Sequence, residues 1–147
     1  MPQIAEVSLA YKSSQNVDKL PIITGPEEAA YYLRSIWTPD TLELREEFVI
    51  VLLNNAKRVL GWSLISSGGS TATIVEPSAV FQTAMLGKAE SIICAHNHPS
   101  GNRKESKTDI KLTKRLCEAG RMLGIPVDDH IIMTRDGYTS FRNKGLI

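Results

Sequence analysis

A chain of 147 residues with 42% apolar side chains suits a single globular domain with a core of its own. Its net charge of +1 argues against a large nucleic-acid footprint. No apolar stretch approaches the ~20 residues of a membrane span, the N-terminus lacks a signal-peptide pattern, and two cysteines make no disulfide framework, so a cytoplasmic location is the expectation.

Residues 1–20 are mixed in character. Val7, Leu9 and Tyr11 alternate with polar neighbours, which fits either an edge strand or a loose arm ahead of a domain over residues 21–147. Thr24-Gly25-Pro26-Glu27 opens a helix, with Thr24 as cap, Glu27 completing a capping box and Pro26 in the first turn. Ala29, Tyr32, Leu33 and Ile36 supply its apolar stripe, and Trp37 and both tyrosines of this stretch read as packing residues. Residues 48–53 form an unbroken apolar run, the best central strand in the chain. A turn at 54–57 returns it as an antiparallel strand over 59–65. A loop over 66–70 and a short extended piece over 71–75 follow. Gly68-Gly69 is no phosphate loop, because no Lys-Ser/Thr completes one.

Pro77 opens a second helix with Val80, Phe81, Ala84 and Met85 on one face, ended by Gly87. A short buried strand covers about residues 90–96. A third helix runs from about 106 to 123, with Leu112, Leu116, Ala119 and Leu123 on its apolar stripe and a stop at Gly124 and Pro126. Its other face carries Lys107, Lys111, Lys114, Arg115 and Arg121, which a solvated surface explains without a ligand. Residues 127–133 and 138–141 read as a hairpin through Arg135-Asp136-Gly137. This order of elements predicts an α/β sandwich on a mixed sheet.

The stretch Ala95-His96-Asn97-His98-Pro99-Ser100-Gly101, followed by Ser106 and Asp109, organises the rest. Alternation along a strand points His96 and His98 the same way, at a strand end where a loop begins. Two imidazoles so placed suit one metal ion, and Asp109 is the nearest good third ligand. Ser106-x-x-Asp109 is also a helix-start box that needs no metal. Gly101 suits a tight turn or a positive φ, and Asn97 and Ser100 read as loop-shaping residues. Cys94 shares the strand face of His96, where a buried thiol is favoured over a ligand. His130 reads as a structural histidine, with a supporting role behind the ligands as the alternative.

His96-Asn97-His98-Pro99-Ser100-Gly101 with Ser106 and Asp109 resembles the JAMM motif of the JAB/MPN metalloprotease family. That spelling and Asp129-His130-Ile131-Ile132 resemble its RadC-like branch. The resemblance covers residues 20–147. It implies a single MPN/JAB-like, cytidine-deaminase-like α/β domain, with a mixed curved sheet flanked by helices. It also implies one zinc ion on His96, His98 and Asp109, a glutamate base before the first central strand, and a serine that steadies the tetrahedral intermediate, here Ser106. Two glutamates stand side by side at that place. Matching Phe48 and the Leu53-Asn54 turn to the family pattern selects Glu46 over Glu47, and alternation lets only one face the site.

The implied activity is a zinc-dependent hydrolase of metallopeptidase or isopeptidase type, acting on a peptide or protein substrate. RadC-like proteins carry a DNA-repair label, so the rival reading is a binding module working with DNA-processing partners through its surface. They often carry a helix-hairpin-helix segment ahead of the metal domain, for which this sequence has no room, and that weakens direct DNA binding. A third reading is a metal that only staples the fold.

Overall fold

The computed structural model describes residues 5–68 and 74–147. The extended piece expected over 71–75 falls partly outside them; its described residues, Ile74 and Val75, are in neither helix nor strand. Residues 5–16 form no helix or strand, and a single 3-10 turn follows at Val17–Lys19.

The elements are α1 (Pro26–Ile36), α2 (Pro39–Leu42), β1 (Glu47–Leu53), β2 (Val59–Ser67), α3 (Pro77–Leu86), β3 (Ser91–Asn97), α4 (Lys107–Leu123), β4 (Val127–Met133) and β5 (Tyr138–Ser140). They form the expected mixed α/β domain. Five strands lie in the order β2-β1-β3-β4-β5, antiparallel except for the parallel pair β3/β4. The parallel pair needs a crossover connection, which α4 provides.

β1 and β3 are buried along their whole length, which is why both read as continuous apolar runs. Alternation sorts their side chains onto two cores. Val49, Val51, Leu53, Ile93 and Ala95 pack under α1 with Leu33 and Trp37. Phe48, Ile50, Leu52, Ile92 and Cys94 pack under α3 and α4 with Phe81 and Leu116. Each helix thus covers one face of the sheet, and the candidate site lies at one end of the α3/α4 face.

Some local expectations are corrected. The cap of α1 is Gly25, with no side-chain hydrogen bond, because Pro26 sets the first helical residue one position later than a Thr24 cap requires. The Thr24 hydroxyl instead lies 3.5 Å from Oε1 of Glu28. Tyr31 is 81% exposed, since it falls opposite the buried Ala29, Ala30 and Leu33. Met85 and Leu123 are also exposed. The rest of the α4 stripe stands as expected, with Leu116 buried and Leu112 and Ala119 packed partly buried against the core, and Thr113 and Gly120 are buried beside it. β2 extends to Ser67, through part of the expected loop, because Phe48 and Glu47 pair with Ser66 and Ser67.

Candidate metal centre

β3 carries His96 at its end, and Phe48 of β1 lies across from it in the ladder, their rings stacked with centroids 6.3 Å apart. His96 is 2% exposed. His98 follows one residue beyond the strand, where its amide still donates to the Met133 carbonyl at 3.0 Å. Gly101 then takes φ +83, the left-handed value expected for it, and its amide donates back to the His98 carbonyl at 3.0 Å. This turn brings the Asn102 carbonyl 2.6 Å from Nδ1 of His98. A carbonyl only accepts, so Nδ1 carries a proton, and Nε2 is the nitrogen whose lone pair becomes available to a metal when it loses the proton that it shares with Asp109.

The chain enters α4 through a reciprocal box. The Ser106 hydroxyl accepts from the Asp109 amide at 3.0 Å, and Oδ2 of Asp109 accepts from the Ser106 amide at 2.8 Å. The same carboxylate faces both imidazoles. Its Oδ1 is 3.3 Å from Nε2 of His96 and its Oδ2 is 3.3 Å from Nε2 of His98. Asp109 thus forms the helix-start box and keeps its carboxylate against both imidazoles, so the box does not preclude the ligand role.

Glu46 immediately precedes β1 and shares the face of Phe48, with Oε1 3.8 Å from Nε2 of His96. Glu47 falls to the opposite face with Val49 and is 8% exposed. Asn97, between the two histidines, points away from them and is fully buried. Its amide donates to the Leu42 and Arg45 carbonyls at 2.7 and 2.8 Å, and its oxygen accepts from the Glu47 amide at 2.7 Å. Asn97 thus clamps the backbone on both sides of Glu46. Sequence reasoning had given it only a loop-shaping part.

His130 lies fully buried behind His96. Its Nε2 is 2.7 Å from Nδ1 of His96, and its Nδ1 is 2.6 Å from the Thr113 hydroxyl. The ring thus stands against His96, the contact that the supporting role requires. Thr113 was missed, although it stands four residues after Asp109 on a helix, hence on the same face. Asp129 is structural: it accepts from the His130 and Arg142 amides and the Ser140 hydroxyl at 2.6 to 3.0 Å.

The charges follow from these contacts. Burial alone would raise the Asp109 carboxyl. Hydrogen bonds from His96 and His98, and from the Ser106 amide, outweigh it and hold the group below the usual carboxylate range. The hydrogen bond to Asp109 raises His98, against the effect of burial, and the Asn102 carbonyl adds to the rise. Burial pushes His130 well below the usual imidazole value, and His96 adds to that. Burial also pushes the Cys94 thiol up, which keeps it protonated.

Among the described residues, Glu46, His96, His98 and Asp109 form a group that could hold a metal ion, with one ligand atom of each within 4.8 Å of all the others. The dimensions fit zinc. Bonds of about 2.0–2.2 Å at tetrahedral angles put neighbouring ligand atoms roughly 3.3 Å apart. The Nε2 atoms of His96 and His98 are 2.9 Å apart, and each is 3.3 Å from an Asp109 oxygen. The group opens into a cavity of about 360 Å³ also lined by Phe48, Val75, Ser106, Thr108 and Leu112.

Fold and site together define an α/β domain of the JAB type with a group of residues that could hold a metal ion. The chain belongs to the RadC-like JAB domain family, whose model matches residues 23–146. A UPF0758 protein of Salinibacter ruber is 38% identical over 143 residues, 97% of this chain and 60% of that protein. A UPF0758 protein of Symbiobacterium thermophilum is 45% identical over 102 residues, 69% of this chain and 44% of that protein. A third, from a Geobacillus species, is 40% identical over 127 residues, 86% of this chain and 54% of that protein. The chain thus spans 44% to 60% of the length of these relatives. Among the described residues, no helix is long and apolar enough to cross a membrane.

Proposed function

We propose that the domain is a zinc-dependent amide hydrolase, of metallopeptidase or isopeptidase type, with His96, His98 and Asp109 as ligands to one ion. The observation that carries this reading is the convergence of those three side chains and the Glu46 carboxylate on one open cavity. Bound there, zinc would supply Lewis acidity and lower the pKa of water.

Glu46 is the base. It takes the proton of the attacking water and delivers it to the leaving nitrogen. The Ser106 hydroxyl keeps its hydrogen free of the helix cap, where its oxygen only accepts from the Asp109 amide. That hydrogen is available to the oxyanion that develops on the carbonyl. The 360 Å³ cavity is open on one side and partly apolar, which leaves room for a peptide segment to enter from solvent.

Metal analysis combined with turnover of fluorogenic peptide and isopeptide-linked lysine substrates tests this. One zinc per chain is expected. Glu46→Gln retains the ion and lowers turnover by about 10²–10⁴-fold. Loss of zinc from that variant would make Glu46 a ligand instead, and unchanged turnover would remove it from the chemistry.

The cationic residues of α4 favour a second reading, a surface that docks DNA or a DNA-processing partner, because Lys107, Lys111, Lys114, Arg115 and Arg121 are all exposed. Salt-dependent retardation of duplex DNA in a gel, abolished by reversing Lys111, Lys114 and Arg115, supports it. No retardation at low salt eliminates it.

A further inference from the structure

The third histidine lies outside the proposed ligand set, yet it is fully buried and both its ring nitrogens are engaged. The contacts form one chain from Asp109 to His96. The Thr113 hydroxyl donates to the Asp109 backbone carbonyl at 2.7 Å and lies 2.6 Å from Nδ1 of His130. Nε2 of His130 lies 2.7 Å from Nδ1 of His96. The elements packed around the ring otherwise present Phe48 and Phe141, whose rings meet it edge-on at 5.5 Å and stacked at 4.6 Å.

Counting hydrogens orders this chain. A hydroxyl has one hydrogen, and Thr113 spends it on the Asp109 carbonyl. The Thr113 oxygen must then accept, so Nδ1 of His130 carries a proton. Burial without a contacting carboxylate leaves His130 neutral, so its Nε2 has none and accepts from Nδ1–H of His96. That leaves Nε2 of His96, 2.9 Å from Nε2 of His98 and 3.3 Å from Oδ1 of Asp109, as the nitrogen that coordinates a metal on giving up any proton it shares with that carboxylate. Reversing the chain would put hydrogen on that Nε2 and block coordination.

We propose that His130 and Thr113 are positioning residues that hold His96 as its Nδ1–H tautomer, leaving Nε2 ready for a metal. The chain begins at the backbone of one proposed ligand and ends on the ring of another, so the helix carrying Asp109 and the strand carrying His96 are locked in a single proton order. Hydrogen-bond partners behind a ligand histidine fix its orientation and basicity, and their loss costs about 10–100-fold in metal affinity. The inference rests on the metal reading above, and one of its two measurements needs no metal.

That measurement is nitrogen-15 NMR of the histidine rings in the chelated protein. His96 and His130 should both carry their hydrogen on Nδ1. In Thr113→Val, which keeps the side-chain shape but loses the hydroxyl, that pattern should be lost. The second measurement is zinc affinity by chelator competition. Thr113→Val should bind about 10–100-fold more weakly, and Thr113→Ser should recover to within about threefold of the wild type. A His96 without hydrogen on Nδ1 in the wild type overturns the proposal, as does a Thr113→Val variant with wild-type zinc affinity and unchanged ring signals. A wild type that binds no zinc but shows both Nδ1 hydrogens supports the proton order and sinks the metal reading alone. Should Thr113→Val fail to fold, the wild-type spectrum still decides the tautomer.

Discussion

Asn97 offers the sharpest test of how the site is built. The side chain is fully buried and its three hydrogen bonds, at 2.7, 2.7 and 2.8 Å, all go to backbone on the approach to β1. In Asn97→Ala those three backbone groups lose their partner. A buried group left unsatisfied costs about 1–3 kcal/mol, and water can reach the less buried Leu42 and Arg45 carbonyls, so the expected total is about 2–4 kcal/mol. For a chain of this size that lowers Tm by roughly 5–15 °C. Asn97→Asp is the more telling change, because it replaces the donating nitrogen with an oxygen facing two carbonyl oxygens. Protonation relieves that clash by restoring one donor, so the folded-state pKa of the new carboxyl rises above its unfolded value of about 3.9. The folded state then binds more protons than the unfolded one, and stability falls as pH rises above about 4. Thermal unfolding followed by circular dichroism in chelator at pH 5 and pH 8 reads the difference. The gap between Asn97→Asp and wild type should widen with pH, while that of Asn97→Ala should stay constant. An Asn97→Asp protein that unfolds with the wild type at pH 8 would refute the clamp.

Two further outcomes follow from the geometry. The raised His98 contributes stability that is complete below its unfolded pKa of about 6.5 and is lost as pH rises through its folded value; the lowered Asp109 contributes above about 3.9 and loses its share only as pH falls through its own folded value. The metal-free site therefore helps the fold most between about pH 4 and 6.5, and zinc must displace the His98 proton there. Zinc should raise Tm more at pH 8 than at pH 6, and an equal rise at both would argue against proton release. Gly120→Ala sets a Cβ 2.4 Å from the Ile125 carbonyl oxygen and 3.3 Å from the Phe81 ring, so the end of α4 must move off the turn into β4. A loss of about 1–3 kcal/mol is expected in denaturant unfolding, and a midpoint matching the wild type would contradict it.

Legibility in the sequence followed the range of each interaction. His96 and His98 are two apart on one strand, and Ser106 and Asp109 share one helical turn, so local geometry alone places each pair. Alternation said that only one of Glu46 and Glu47 could face the site, and the family resemblance rather than local geometry picked Glu46. The roles of His130 and Asn97 depend on which strands pair and in what register. The parallel ladder that sets Ile132 beside His96 brings His130 behind it, and nothing local to residues 127–133 reveals that. The cap of α1 differs from the expected one by one residue, the scale at which a proline overrides a local pattern.

The arrangement also bears on whether a metal here would act or merely staple the fold. Both cores are complete without the site: one lies under α1, and the other runs down β1 and β3 toward α3 and α4. Each proposed ligand is held by something other than an ion. His98 is fixed by the Asn102 carbonyl, Asp109 by its helix cap and His96 by His130. Asn97 sets the backbone around Glu46 through the Arg45 carbonyl and the Glu47 amide. A structural zinc site is closed by four protein ligands and makes the fold depend on the ion. Here the two imidazole Nε2 atoms already lie 2.9 Å apart and each lies 3.3 Å from a different oxygen of Asp109, with an acid beside them and an open cavity in front. Holding the ligands ready is what a site needs when its ion must keep one position for a reactant, and this separates the hydrolytic reading from the staple.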